Sequence, residues 1–221
     1  MGWKNFSFKK RLKDKSSVIF IFFVLFYGIQ GIISIFNSNF APPIDLFAAT
    51  GIIGLVFVLH LLAGFETIVP VFIGIGFMPH ILGLYKIIPY NKNYIGTLYG
   101  WSFLNYHYDW IVHSFAILCF SIVVCSIFYP YLKKSLKSKF LMFVIFLFFV
   151  LGLGAFNEIL EYIGFDVFGY GEGFLEFGSG DSSPYEGPWQ NSSMDLISNL
   201  AGAIIGISSF LLIKGNEDEC A

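Results

Sequence analysis

Six apolar runs, each near the length of a bilayer crossing, alternate along this chain with short polar or glycine-rich segments. They cover about 18–36, 46–62, 68–88, 109–131, 140–163 and 194–213. A helix needs roughly 20 apolar residues to cross the hydrocarbon core. Backbone in lipid must satisfy its own hydrogen bonds, so runs of this length predict spanning helices rather than strands. The breaks agree. NSNFAPPID at 37–45 places Pro42 and Pro43 where the first helix stops, and AGFET at 63–67 separates the second run from the third. Pro70 falls in the first turn of the third run and is tolerated there, whereas Pro79 should kink it. The segment 89–108 is polar and rich in Tyr and Trp, side chains that suit the membrane–water interface. KKSLKSK at 133–139 ends the fourth run. The expected fold is all-α: a polytopic transmembrane six-helix bundle forming one integral membrane domain over 1–221. Its appendages are a basic N-terminus at 1–16, a Gly-rich acidic outer loop at 164–193 between helices five and six, and a tail at 214–221.

Composition sharpens this reading. Of 221 residues, 56% are hydrophobic and 13% charged, against roughly 25% charged in soluble domains. The net charge of −2 offers nothing to nucleic acid, and membrane lipids are the partners expected. Cys119, Cys125 and Cys220 fit neither a disulfide framework nor a zinc spacing. A basic start followed by an apolar run looks like a secretory leader. The run is long enough to span, though, and no A-x-A site follows, so an uncleaved first helix is expected. Six basic residues between Lys4 and Lys15 share a side with Lys133, Lys134, Lys137 and Lys139, while the opposite loops hold Lys86 and Lys92. The positive-inside rule then makes this a multi-pass cell-membrane protein with both termini cytoplasmic.

That topology gathers polar residues at the outer ends of four helices. Asp109 and His113 start helix four, Glu158 and Glu161 lie near the end of helix five, Asp195 and Asn199 start helix six, and His80 lies in helix three. Spacings of three and four put each pair on one helix face. Asp109 and Asp195 also suit plain helix caps, and His113 a satisfied core histidine. The glutamates resist such readings, because a helix C-terminus disfavours anions and like charges three apart repel. His60 and Glu66 fall at the other end and read as structural. The loop at 164–193, with seven glycines and five acids, is a lid over the outer site or a solvated connector.

Helix N-termini favour phosphate, and histidines with carboxylates supply acid–base chemistry or ligate a divalent metal. The catalytic candidates are therefore Glu158, Glu161, His113 and Asp109, and the ligand-binding candidates Asp195, Asn199 and His80. Metal ligands, if the cofactor is a divalent metal, are His113, Glu158, Glu161 and Asp195. The function expected is action on a lipid or lipid-linked phosphate. The alternative is a non-catalytic protein binding a lipid, ion or glycopeptide-like ligand in the same pocket.

The series MPHILGLY, NYHYDWIVH, NEILEYIGF and SGDSSPYEGPWQNSSMDLISNLAGA resembles the YjdF-like family of small inner-membrane proteins, over about 79–206. A fainter similarity is to VanZ-like proteins. Carried across, the resemblance implies a site at His80, Asp109, His113, Glu158, Glu161, Asp195 and Asn199. It implies no particular reaction.

Overall fold

The computed structural model describes residues 8–36, 43–85, 87, 108–168 and 188–219. The described chain is helical throughout: α1 (Phe8–Arg11), α2 (Lys15–Phe36), α3 (Pro43–Ala63), α4 (Ile68–Gly76), α5 (Met78–Leu84), α6 (Tyr108–Ser135), α7 (Lys139–Phe168) and α8 (Pro188–Glu219). Five of these helices are long and apolar enough to cross a membrane, and the stretch Ile68–Gly83 is a shorter apolar helix. The third run is thus divided. The backbone breaks at Phe77, two residues before the expected kink, and Pro79 opens α5. Proline removes a hydrogen bond to the carbonyl four residues back and clashes with it, so strain at Pro79 is released upstream, just after Gly74 and Gly76. Together α4 and α5 reach about 25 Å at 1.5 Å per residue, short of a full core of about 30 Å.

The lipid-facing helices α2, α3 and α7 expose Phe, Leu and Ile, while α6 is the most buried span. One core packs α2, α3, α4 and α5 against α6 through Phe20, Tyr27, Ile53, Ile73 and Val123. A second packs α6, α7 and α8 through Cys125, Phe146, Val150, Ala203 and Ile207. Two glycines set the register of the second. A Cβ at Gly202 would lie 2.1 Å from Ser114 O, and one at Gly206 2.6 Å from Leu118 O. Glycines four apart let helix backbones touch, the usual device where lipid removes any hydrophobic drive between helices. The contact is reinforced by Ser114 Oγ donating to Ser198 O at 3.1 Å.

Near the chain start a polar knot closes the first core. Gly64 follows α3 with φ +74°, a left-handed residue past a helix end. There Arg11 Nη1 donates to Leu61 O (3.2 Å), a carbonyl the helix leaves orphaned, and to His60 O (3.3 Å), which also accepts the Gly64 N–H at 2.7 Å. Asp14 caps α2 by accepting from Ser17 N at 2.8 Å. His60, fully buried, accepts the Phe65 N–H on Nδ1 at 2.9 Å. Its proton therefore sits on Nε2, which faces Asp14 Oδ1 at 3.3 Å. His60 is a structural histidine, as expected.

Helical backbone enters both ends of the expected Gly-rich loop at 164–193, since α7 continues to Phe168 and α8 begins at Pro188. The centre of that loop, 169–187, and most of the aromatic loop at 89–108 lie outside the described residues. At the other end, α8 extends to Glu219, into the expected tail.

Candidate functional site

The Gly202–Ser114 contact lays α8 parallel to α6, so Asp195 and Asn199 come level with Asp109 and His113. The antiparallel α7 brings Glu158 and Glu161 to the same level. His113 stands at the centre. Its Nδ1 lies 3.7 Å from Glu158 Oε1, and its Nε2 lies 3.5 Å from Asp109 Oδ1 and 3.9 Å from Asp195 Oδ1. One donor atom from each of His113, Glu158, Glu161 and Asp195 falls within 4.8 Å of every other. Three carboxylates of this neighbourhood are withdrawn from solvent: Asp195 is 0% exposed, Asp109 4% and Glu158 9%.

Two of the sequence arguments for these residues change. Asp195 sits about two turns inside α8 rather than at its start, so it caps nothing. The start of α6 remains at the cluster, with Asp109 in its first turn. Glu158 and Glu161 lie about three and two turns before the end of α7. The dipole effect fades within the last turn, so it does not act on them. Their proximity to other carboxylates is the electrostatic issue, and it comes from tertiary packing.

Asn157 is a member the sequence did not assign a role. Its Nδ2 donates to Glu161 Oε1 at 2.6 Å, fixing that carboxylate from one turn away. The signal was present, since an Asn four residues before a Glu shares its helix face. Tyr108 also contributes: its hydroxyl donates to Pro79 O at 2.9 Å and joins the start of α6 to α5 beside His80.

A cavity of about 290 Å³ adjoins the cluster. Its polar lining is His80, Asp109, His113, Asn157, Glu161 and Asn199, and the remainder is apolar, including Phe77, Ile117, Phe120 and Leu153. Among the described residues, those lining it include neither lysine nor arginine. Asn199 is 1% exposed, and its amide has no hydrogen-bond partner among the described residues. Opposite it stands Gly154, where a Cβ would lie 2.9 Å from Asn199 Nδ2. The seven expected residues are thus divided: five line the cavity, while Glu158 and Asp195 stand behind it, next to His113.

Apolar helices of spanning length around a buried polar cluster define a multi-pass integral membrane protein. The chain belongs to the family described as predicted membrane protein (DUF2238), whose model matches residues 15–216. No curated protein and no solved structure matches the chain.

Proposed function

We propose that this protein holds a divalent cation at His113, Glu158, Glu161 and Asp195 and uses it to bind and act on a lipid or lipid-linked phosphate. The observation that carries the reading is the packing of one imidazole and three carboxylate donors within 4.8 Å, with Asp109 beside them. Carboxylates this close inside a membrane protein cannot all stay ionised without a cation or protons to offset them. Mixed imidazole and carboxylate donors suit Mn²⁺ or Zn²⁺, and the carboxylates alone Mg²⁺. A phosphate approaching such an acidic wall, with no lysine or arginine among the described residues that line the cavity, needs that cation to hold it.

The side chains then take distinct roles. Asp109, facing Nε2, orients His113 and leaves Nδ1 toward Glu158, the arrangement in which a metal-binding histidine is fixed through its other nitrogen. A carboxylate oxygen of Glu158 or Glu161 left free by the cation serves as the base for a water attacking phosphorus, and the P–O bond to the lipid alcohol breaks, the alcohol leaving with a proton. His80 and Asn199 contact the bound ligand. The lysine distribution supports placing the cluster at the outer face of the cell membrane with both termini cytoplasmic. Reporter fusions at Lys137 and Gly178 are expected on opposite sides with Lys137 cytoplasmic; the inverse assignment would reverse that orientation, and one side for both would overturn the six-helix architecture. The sequence motifs support a YjdF-like relationship within the family.

The experiment is a Mn²⁺ titration of the purified chain, followed by incubation with dioleoyl phosphatidic acid and detection of released phosphate. Saturable binding that Glu161→Gln and His113→Ala each weaken at least tenfold supports the cation site. Equal binding in all three forms removes it. Cation-dependent lipid binding without phosphate release favours the non-catalytic alternative, for which the mainly apolar cavity speaks.

A further inference from the structure

The cavity has a direction. Along α6 its lining runs Asp109, Val112, His113, Ala116, Ile117 and Phe120, one helix face with the polar residues at one end. From Asp109 to Phe120, eleven rises of 1.5 Å make that face about 16 Å long, close to one leaflet of a hydrocarbon core of about 30 Å. On the antiparallel α7 the same gradient runs the other way in sequence: Asn157 and Glu161 at the polar end, Leu153 and Gly154 at the apolar end. The polar end lies where α6 begins, at a bilayer surface. The apolar end lies toward the midplane.

Its mouth faces lipid. Ile52 of α3 and Leu153 and Phe156 of α7 line the cavity and are exposed at 39%, 41% and 58%. In this part of the molecule α3 packs on α2 and α4, and α7 on α6 and α8, so the two walls belong to different halves of the bundle. Beside the mouth, a Cβ on Gly152 would meet nothing within 4 Å. Inside, the Asn199 amide is buried and lacks a hydrogen-bond partner among the described residues. A buried amide left this way is destabilising unless a ligand or water satisfies it.

From this we infer that the cavity is a lateral binding groove for a phosphate-bearing lipid, entered from the bilayer between Ile52 and Leu153. One acyl or prenyl chain lies along the Ile117–Phe120 end, and the head group is held by Asn199 and the carboxylate-bound cation. The inference rests on the cation reading given above for the head group, and on cavity shape for the chain. Beside four carboxylates an anionic head group binds only together with the cation. Lipid and cation must then strengthen one another's binding, whereas an amine head group would compete with the cation.

The test uses native mass spectrometry of the full chain with dioleoyl phosphatidic acid, with and without Mn²⁺. Dioleoyl phosphatidylethanolamine and inorganic phosphate serve as comparison probes. The variants Ile52→Trp and Leu153→Trp narrow the mouth from opposite walls at lipid-exposed positions, and thermal unfolding checks that they fold. The expected result is a Mn²⁺-strengthened phosphatidic acid complex that each tryptophan variant weakens at least tenfold, with Mn²⁺ affinity unchanged and no displacement by equimolar inorganic phosphate. Folded tryptophan variants that keep full lipid binding overturn the groove. So does displacement by inorganic phosphate, or a phosphatidylethanolamine complex that Mn²⁺ disrupts. If Mn²⁺ binds but no lipid does, the groove falls and the cation site stands. If lipid binds equally in EDTA and the tryptophan variants abolish it, the groove stands and the cation reading falls.

Discussion

His113 has two ring nitrogens facing three carboxylates, so its neighbours decide which nitrogen is available. Asp109 lies closer to Nε2 than Asp195 does, 3.5 Å against 3.9 Å, and Glu158 faces Nδ1 at 3.7 Å. A cation taken by Nδ1 finds Glu158 and Glu161 on the same helix, and Glu161 is steered by Asn157. That hydrogen bond is separable from the ligands themselves. Asn157→Ala leaves every proposed donor in place and frees the Glu161 carboxylate to rotate. Loss of such a supporting bond typically costs 10–100-fold in metal affinity. A Mn²⁺ titration of Asn157→Ala should show a fall of this size, with the melting temperature in EDTA unchanged. Unaltered affinity would mean that Glu161 is not a ligand.

Among the elements, α8 places two residues of the proposed site, Asp195 and Asn199, through two glycines. A Cβ at Gly202 or Gly206 would run into the backbone carbonyls of α6, which have no rotamer to yield with. Gly202→Ala must therefore push α8 outward, and overpacking of this kind costs about 1–3 kcal/mol. Thermal unfolding should register that loss, and Mn²⁺ binding should weaken as Asp195 retreats. Gly152→Ala is the matched control. It meets nothing within 4 Å, and helix propensity favours alanine by about 1 kcal/mol, so it should hold or raise the melting temperature. The span lengths were legible in the sequence because bilayer thickness dictates them. The co-location of Asp109, His113, Glu158 and Asp195 was legible because hairpin topology returns alternate helix ends to one side. Hidden from it were distances that depend on side-chain packing: the break at Phe77, the Asn157–Glu161 bond, and the two turns of α8 preceding Asp195. Helix ends in particular were misjudged. Polar and Gly-rich sequence after Ile163 and before Met194 reads as loop, yet helix persists to Phe168 and resumes at Pro188.

For the whole molecule, the two cores differ in what holds them at their ends. The first is tied by covalently continuous neighbours and by the Arg11, Asp14 and His60 knot, all of it built from groups the chain supplies. The second brings α6, α7 and α8 together around carboxylates that repel one another, so its cohesion at that end depends on what neutralises them. A cation that binds the folded protein and not the unfolded chain stabilises it by RT ln(1 + [L]/Kd), about 2.7 kcal/mol at a hundredfold excess over Kd. On the scaling of soluble domains of this size, that corresponds to a rise in melting temperature of about 5–10 °C. Thermal unfolding in detergent with graded Mn²⁺ should show the melting temperature climbing with the logarithm of concentration and returning to its base on EDTA. The Glu161→Gln variant should lose the response, while His60→Gln, at the opposite end, should lower the base and keep the response. A protein indifferent to Mn²⁺ and EDTA would show that protons alone keep the peace among these carboxylates, and the cation would have no part in the site.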